Sequence, residues 1–175
     1  MEQALIDKIK KVKVMLLDVD GVLTDGRIVY DSNGRDLKFF DVLDGLGVYL
    51  LKRSGIPTVL ITARSSRTIK HRAKDMRVDM VLADISPKTS VLEKILAKYK
   101  VGKDELCFVG DDLVDLGLMK QVGFGAAVCN ACAEIKAAAD YTTVKKGGRG
   151  AVREIVEMIL KTQGKWDDLV RAYEN

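Results

Sequence analysis

The chain has 175 residues, of which 29 are Lys or Arg and 25 are Asp or Glu, giving a net charge of +4, and 47% of them are hydrophobic. This length corresponds to about one domain, and the balanced charges with an ordinary apolar content argue against a disordered protein. A charge of +4 is too small and too dispersed to indicate a partner nucleic acid, and three cysteines are too few for a disulfide framework.

No part of the sequence indicates a membrane anchor or an exported protein. No apolar run reaches the roughly 18 residues that a membrane-spanning helix requires. The N-terminal segment contains acidic residues and lacks a long apolar core, unlike a secretory signal. We therefore expect a cytoplasmic protein without a membrane partner.

Short apolar runs alternate along the chain with segments compatible with a helix. Because the runs are apolar throughout, they are typical of strands in a parallel sheet that helices cover on both faces. The predicted strands are Val14–Leu17, Thr58–Ile61, Met80–Ala83, Leu106–Val109 and Gly125–Val128. The helix-compatible segments are about Gly45–Arg53, Ser65–Met76, Lys88–Tyr99, Asp112–Gln121, Ala131–Ala139 and Arg149–Lys161. This order predicts an α/β fold with a doubly wound, mainly parallel, Rossmann-like sheet.

One segment interrupts this alternation, between the first strand and the first helix. In residues 27–40, Asn33-Gly34 separates two strand-like runs, which is a strong local signal for a β-hairpin. The segment is too short to be a domain, and we interpret it as a flap. No repeat or linker divides the sequence, so we expect one domain over residues 1–175, with a C-terminal tail from about residue 145.

Two carboxylates follow the first predicted strand, in Asp18-Val19-Asp20-Gly21. The carboxyl ends of the strands form the ligand-binding edge of an open α/β sheet. A carboxylate at that edge can bind a metal, transfer a proton or act as a nucleophile that forms an aspartyl-phosphate. A solvated turn is the alternative, because Asp and Gly also favour turns.

Three other predicted strands are followed by residues suited to phosphate chemistry. Thr62 follows the second strand near a predicted helix start, where N–H groups suit a phosphate, although an ordinary N-cap explains it equally well. Lys88 follows the third strand, and its ammonium suits phosphoryl oxygens, although most lysines simply face solvent. Asp111 and Asp115 follow the fourth strand. Because Mg²⁺ takes one or two protein carboxylates, Asp18 with Asp111 predicts a magnesium site.

In this order the residues resemble the four motifs of the haloacid-dehalogenase phosphohydrolases. The matching stretches are Asp18-Val-Asp20-Gly-Val-Leu-Thr, Thr62, Lys88 and Gly110-Asp-Asp-Leu-Val-Asp115. The resemblance implies that Asp18 is the nucleophile and that Asp20 is the acid/base catalyst. It implies that Thr62 and Lys88 hold the transferring phosphoryl group.

The same resemblance implies how the metal is bound. It implies that Mg²⁺ is held by Asp18, by the backbone carbonyl of Asp20 and by Asp111. Asp115 matches the last acid of the motif and is expected to orient Lys88 or a metal-bound water. The spacing of the motifs leaves room for the flap, but for none of the cap domains that larger members carry.

Further segments closely resemble the 3-deoxy-D-manno-octulosonate 8-phosphate phosphatase family. These segments are Asn33-Gly34, Phe40–Gly45, Ile61–Arg64 and Gly147–Glu154. The family consists of capless homotetramers whose flaps pack together and whose tails reach a neighbouring active site. The resemblance therefore implies a phosphorylated sugar acid as the substrate, in the biosynthesis of lipopolysaccharide precursors.

The resemblance also implies which residues contact the substrate. Besides the phosphoryl-binding groups Asp20, Thr62 and Lys88, they are a loop formed by Asp41, Val42, Leu43, Asp44 and Gly45, together with Ala63, Arg64 and Arg72. Two arginines suit a substrate with both a phosphate and a carboxylate, because guanidinium groups pair bidentately with each. Arg72 lies in a run of charges, however, and such a run is commonly a solvated helix face.

Three alternatives remain open at this stage. A nine-carbon sialic-acid-type 9-phosphate is the first, since the same motifs serve both sugar acids and Tyr49 stands where some relatives have a basic residue. A signalling receiver domain is the second, because it also combines a doubly wound sheet with Mg²⁺ and a phospho-accepting Asp; Asp84 follows the third predicted strand. A catalytically silent assembly module is the third.

Overall fold

A computed structural model of the chain describes residues 2–174. The strands are β1 (Val14–Leu17), β2 (Val29–Tyr30), β3 (Asp36–Leu37), β4 (Thr58–Ile61), β5 (Met80–Leu82), β6 (Leu106–Gly110), β7 (Phe124–Ala127) and β8 (Tyr141–Thr142). The helices are α1 (Gln3–Lys11), α2 (Val42–Arg53), α3 (Arg67–Asp75), α4 (Leu92–Tyr99), α5 (Leu116–Met119), α6 (Ala133–Ala138), α7 (Ala151–Thr162) and α8 (Trp166–Arg171). Short 3₁₀ turns cover Lys88–Val91, Lys103–Glu105 and Leu113–Asp115.

Within the described residues, six strands form the main sheet in the order β5-β4-β1-β6-β7-β8. Every neighbouring pair in it is parallel. The predicted α/β fold with a mainly parallel sheet is confirmed, and the five predicted strands are β1, β4, β5, β6 and β7. Strand β8 was not predicted, since two residues are too short to carry a hydrophobic pattern.

The apolar runs of the sequence form the core of this sheet. Strands β1, β4, β6 and β7 are buried at every position, as expected where helices cover both faces. Phe108 and Phe124 are the largest of the fully buried side chains and lie on neighbouring strands. Helix α7 contacts both α1 and α2, and α5 contacts α6.

A hairpin lies between β1 and α2, at the segment interpreted as a flap. Strands β2 and β3 pair antiparallel, with Val29 opposite Leu37. The Asp31 carboxylate accepts hydrogen bonds from the Asn33 and Arg35 amides at 2.9 and 2.8 Å. Gly34 has a φ of +73°, a conformation that glycine adopts without the steric cost of a side chain. We keep the name flap for residues 27–40.

Helices α2 and α1 differ from the sequence predictions. Helix α2 begins at Val42 rather than near Gly45, because the Asp41 carboxylate caps it by accepting hydrogen bonds from the amides of Leu43 and Asp44. The segment Asp41–Gly45, expected to be a loop, is therefore the cap and first turn of a helix. Helix α1 was not predicted. Across the described residues, no helix combines the length and apolar character needed to cross a bilayer.

A pair of valine substitutions tests how much the sheet core stabilises the fold. Val59 on β4 is fully buried, whereas Val144 is 83% exposed. Val59→Ala removes two buried methyl groups, at about 0.8 kcal/mol each plus a cavity cost, so we expect it to lower the free energy of unfolding by about 2 kcal/mol or more. Val144→Ala should change it by less than about 0.5 kcal/mol. Urea unfolding of the two variants checks this, and equal losses would contradict the assigned core.

Candidate active site

The order of the strands brings the sequence motifs to one edge of the sheet. Strand β1 lies between β4 and β6. After β1 the chain forms β4 and β5 on one side of it, and then crosses to form β6, β7 and β8 on the other side, so the strand order reverses at β1. In an open α/β sheet, ligands bind outside the carboxyl ends of the strands at such a switch point. Because all six strands run parallel, the residues that follow β1, β4, β5 and β6 meet there.

Lys88 lies at the centre of this edge and is only 3% exposed. Its Nζ is 2.5 Å from Oδ1 of Asp18 and 2.5 Å from Oδ1 of Asp115. Burial lowers the pKa of Lys88, but the two adjacent carboxylates outweigh this, and the net shift is upward. The interpretation of Lys88 as a solvent-facing lysine is therefore excluded, and its ammonium is a fixed positive charge beside the predicted nucleophile.

Asp115 is completely buried and connects Lys88 to the loop after β6. Its Oδ2 accepts hydrogen bonds from the Asp111 amide at 2.9 Å and the Asp112 amide at 3.4 Å. Of the two roles expected for Asp115, orientation of Lys88 is the one for which the structure provides a direct contact. The same hydrogen bonds fix the backbone that carries Asp111.

The donor set near Lys88 fits a divalent cation. Carboxylate oxygens of Asp18, Asp111 and Asp115 all lie within 4.8 Å of one another. Burial and then the neighbouring carboxylates raise the pKa of Asp111 to about 8, and burial also raises the pKa of Asp18. Three carboxylates share one ammonium here, and hard oxygen donors of this kind suit Mg²⁺. Since Asp115 is occupied by Lys88 and two amides, Asp18 and Asp111 are the carboxylates available to the ion.

The loop after β1 is shaped to accommodate Asp111. Gly21 has a φ of +95°, and a Cβ built on it would lie 1.9 Å from Oδ2 of Asp111. Only a residue without a side chain therefore lets the two loops approach this closely. On the other side, the Gly148 amide donates to the Val22 carbonyl at 2.9 Å, so the Gly147-Gly148 stretch packs against the same loop.

Asp20 contacts a lysine that the sequence analysis missed. Its Oδ1 is 2.5 Å from Nζ of Lys38, a flap residue whose side chain is 3% exposed. Nε of Arg64 lies 4.0 Å from Oδ2 of Asp20. The sequence carries no signal for Lys38, because it is one of 29 basic residues and only the fold of the flap brings it to Asp20.

Thr62 and Arg64 form a short turn after β4. Thr62 is 1% exposed, and its hydroxyl accepts a hydrogen bond from the Arg64 amide at 3.1 Å. The N-cap interpretation of Thr62 is excluded, because α3 begins at Arg67 and Ser66 caps it. Arg64 donates from Nη2 to the Tyr30 hydroxyl at 2.9 Å, which ties the turn to the flap, and Ala63 lies exposed between the two residues.

Arg72 contacts the predicted substrate segment Asp41–Gly45. Its Nη2 donates to the Asp41 carbonyl at 2.7 Å, and its guanidinium lies over the Phe40 ring at 5.6 Å. A Cβ on Gly45 would lie 2.2 Å from Nη2 of Arg72, so a larger residue there would displace the guanidinium from its present position. Arg72 is therefore not part of a fully solvated helix face.

The remaining members of Asp41–Gly45 divide into exposed and buried side chains. Val42 and Leu43 are exposed. Asp44 is 1% exposed, and its two oxygens accept hydrogen bonds from the Gly150 amide at 3.1 Å and the Arg153 amide at 2.8 Å. Burial raises the pKa of Asp44 to about 6. The Asp44 carboxylate thus joins the start of α2 to the start of α7.

Comparisons with known proteins identify the family of the chain. Residues 76–155 match the haloacid dehalogenase-like hydrolase family. The chain is 37% identical to the 3-deoxy-D-manno-octulosonate 8-phosphate phosphatase of Escherichia coli over 163 residues, which is 93% of this chain and 87% of that protein. The chain belongs to the 3-deoxy-D-manno-octulosonate 8-phosphate phosphatase family.

Solved structures of 3-deoxy-D-manno-octulosonate 8-phosphate phosphatases share its fold. The Moraxella catarrhalis enzyme, in complex with magnesium, phosphate and the sugar acid, has a TM-score of 0.95 and 39% identity over 99% of both chains. The cobalt-bound Haemophilus influenzae enzyme has a TM-score of 0.87 and 35% identity, over 90% of this chain and 92% of that one. Both relatives contain a divalent metal, which agrees with the carboxylate donor set at Asp18 and Asp111.

The family assignment favours the phosphatase over the alternatives considered from the sequence. In the sheet, Asp84 follows β5, which is an edge strand, whereas Asp18 follows the central strand β1. A receiver-like site at Asp84 would therefore lie away from the Asp18–Asp111 cluster. The comparisons likewise favour the eight-carbon sugar acid over a nine-carbon one.

The raised pKa of Asp111 predicts that magnesium affinity depends on pH. Below about pH 8 the metal-free protein holds a proton on this carboxyl, and Mg²⁺ must displace it. We expect the apparent affinity to rise with pH by up to about tenfold per unit until pH 8, with release of a proton. Titration calorimetry between pH 6 and 9, in two buffers of different ionisation enthalpy, measures the affinity for Mg²⁺ and the number of protons released. An affinity that does not change with pH would contradict this prediction.

Proposed function

We propose that the chain hydrolyses 3-deoxy-D-manno-octulosonate 8-phosphate to the free sugar acid and inorganic phosphate, with Mg²⁺, in the biosynthesis of lipopolysaccharide precursors. The observation that carries the proposal is the buried Lys88 between Asp18 and Asp115, next to Asp111 at the switch point of the sheet. This arrangement of side chains would supply a nucleophile, a fixed cation and metal-binding carboxylates within one site. Phosphoryl transfer needs these groups and little other covalent chemistry from a protein.

In the first step, Asp18 attacks phosphorus. Lys88 holds Oδ1 of Asp18 at 2.5 Å, which leaves Oδ2 as the attacking oxygen. A bond forms between Oδ2 and phosphorus while the bond from phosphorus to the sugar oxygen breaks, and the electron pair stays on that oxygen. Asp20 donates a proton to it. The products are the sugar acid and an aspartyl-phosphate.

In the second step, a water attacks the aspartyl-phosphate. Asp20, now ionised, accepts a proton from this water as the bond from water oxygen to phosphorus forms and the bond from phosphorus to Asp18 breaks. Inorganic phosphate leaves, and both carboxyl groups return to their starting states. The same residue thus acts first as an acid and then as a base.

The developing charge on the phosphoryl oxygens requires fixed positive groups. The Lys88 ammonium and the Thr62 hydroxyl are proposed to bind these oxygens, and both are buried at the strand ends. Asp18, Asp111 and the backbone carbonyl of Asp20 would hold Mg²⁺, which would supply further charge neutralisation. Groups that are already oriented in the folded protein need no reorganisation when the charge develops.

The sugar acid is proposed to lie between the flap and α3. A cavity of about 670 Å³ is lined there by three arginines (Arg35, Arg64 and Arg67) and two acids (Asp31 and Asp36), of which Asp31 pairs with Arg35, so the lining has a net positive charge. Guanidinium groups pair bidentately with carboxylates, so this lining suits an acidic substrate. Asp41–Gly45 and Arg72 are proposed to contact the remainder of the sugar.

The exposed apolar residues of the flap support the proposed homotetramer. Ile28, Tyr30, Leu37 and Phe39 are large, apolar and exposed, and so is Val42 at the start of α2; we call these five residues the flap patch. Because Val29 pairs with Leu37 and Tyr30 pairs with Asp36, exposed apolar side chains occur on both faces of the hairpin. Exposed apolar side chains grouped in one segment of a folded protein support an interaction surface. We propose that the chain is one capless domain over residues 1–175 in the cytoplasm. Flaps would pack together between subunits, and tails would reach neighbouring sites.

Substitution of the proposed nucleophile tests the reaction. Asp18→Asn keeps the size of the side chain but removes its nucleophilic oxygen, so turnover should fall by more than about 10³-fold while the fold is retained. The assay is phosphate release from 3-deoxy-D-manno-octulosonate 8-phosphate with Mg²⁺ and with a chelator, and circular dichroism checks the fold. Activity that survives in Asp18→Asn would contradict the nucleophile assignment. An equal or greater preference of wild type for the nine-carbon 9-phosphate would contradict the substrate.

Light scattering coupled to gel filtration tests the assembly. We expect wild type to have four times the chain mass of 19.3 kDa. Ile28→Glu places a charge in the flap patch and should dissociate the tetramer, whereas Val144→Glu, at an 83% exposed position outside the flap, should leave it intact. A wild-type protein of 19.3 kDa, or dissociation by both variants alike, would exclude the proposed contact.

A further inference from the structure

Lys38 is a buried lysine that the proposed mechanism does not yet use. It follows β3 in the flap, and its side chain is 3% exposed. Its Nζ lies 2.5 Å from Oδ1 of Asp20 and 3.7 Å from Oδ2 of Asp36. An ammonium is strongly hydrated and is rarely buried without a partner, so this pair differs from the exposed ion pairs elsewhere on the surface.

The two oxygens of Asp20 have different surroundings. Oδ1 is held by Lys38, whereas Oδ2 is buried and has no hydrogen-bond partner among residues 2–174. The Nε of Arg64 is 4.0 Å from Oδ2, which is beyond hydrogen-bond distance. Buried polar atoms are almost always paired in folded proteins, so an unpaired oxygen at this edge indicates a position that a ligand completes.

We propose that Lys38 is a positioning residue for proton transfer: its ammonium fixes Oδ1 of Asp20 and thereby presents Oδ2 to the bridging oxygen of the substrate. The inference rests on the proposed function, in which Asp20 protonates the leaving group. The bond from Oδ2 to its proton breaks as the proton binds the bridging oxygen, which keeps the electron pair of the broken bond to phosphorus. Lys38 itself exchanges no proton and no bond with the substrate.

This role makes the flap part of the catalytic apparatus. The flap is held over the site by the Arg64–Tyr30 hydrogen bond and by the Thr68 hydroxyl, which donates to the Asp36 carbonyl at 3.3 Å. Lys38 is two residues after Asp36, so the contacts that hold Asp36 and Tyr30 also fix the position of the Lys38 ammonium. The position of the flap therefore sets the orientation of the Asp20 carboxylate.

Two substrates with different leaving groups separate this role from a general defect. The leaving group of an alkyl phosphate such as 3-deoxy-D-manno-octulosonate 8-phosphate is a strongly basic alkoxide, which needs a proton from Asp20. The leaving group of p-nitrophenyl phosphate is a stable phenolate, which does not. The value of kcat/KM reports the steps up to the first irreversible one, which here is departure of the leaving group. The ratio of the two kcat/KM values does not depend on how much of a variant is folded.

We expect Lys38→Met to lower kcat/KM for the sugar phosphate about tenfold to hundredfold, and for p-nitrophenyl phosphate by less than about threefold. Lys38→Arg should recover much of the loss, because it restores a cation at this place. Lys52→Met is the control: Lys52, on α2, is paired with Asp79, which directly precedes β5 and so lies at the opposite edge of the sheet from the site; both substrates should be unaffected.

Equal losses on both substrates would overturn the proposal, since they would indicate phosphate binding or folding as the role of Lys38. No loss on either substrate would overturn it as well. Failure of the proposed function gives a different result, in which wild type itself does not hydrolyse the sugar phosphate. An active wild type with an unchanged substrate ratio in Lys38→Met therefore refutes the role of Lys38 alone.

Discussion

The buried ammonium of Lys88, held between Asp18 and Asp115, is the interaction on which the site depends. Burying one charge costs solvation free energy, and the structure offsets this cost with two carboxylates at 2.5 Å. Asp115 then uses its other oxygen on the amides after β6. The ion pair therefore orients a lysine, the proposed nucleophile Asp18 and the loop that carries the proposed metal ligand Asp111.

An excess of negative charge remains after this pairing. Asp111 adds a third carboxylate within 4.8 Å of the other two, and its pKa is raised because burial and its neighbours oppose its ionisation. Such a cluster is unfavourable in the absence of a cation and favourable with a divalent one. Bound Mg²⁺ would offset this negative charge and, together with the Lys88 ammonium, would provide the positive partners that phosphoryl oxygens need.

Around this centre, two further contacts connect distant parts of the chain to the site. The Lys38–Asp20 pair connects the flap to the loop after β1. The Asp44 carboxylate connects the start of α2 to the amides at the start of α7. These two contacts hold the flap and the starts of α2 and α7 against the edge of the sheet that carries the site. The site is therefore surrounded by protein although only a hairpin and a helix lie between β1 and β4.

The sequence by itself determined the five main strands, the hairpin at Asn33-Gly34 and the motif residues, because these signals are local: apolar runs, turn residues and acids at fixed spacing. It could not determine that Asp41 caps α2, that Asp44 is buried against α7 or that Lys38 contacts Asp20. These depend on contacts between residues up to 109 positions apart, as in the Arg153–Asp44 hydrogen bond. Only the tertiary structure brings such residues together, since their proximity follows from the order of strands in the sheet.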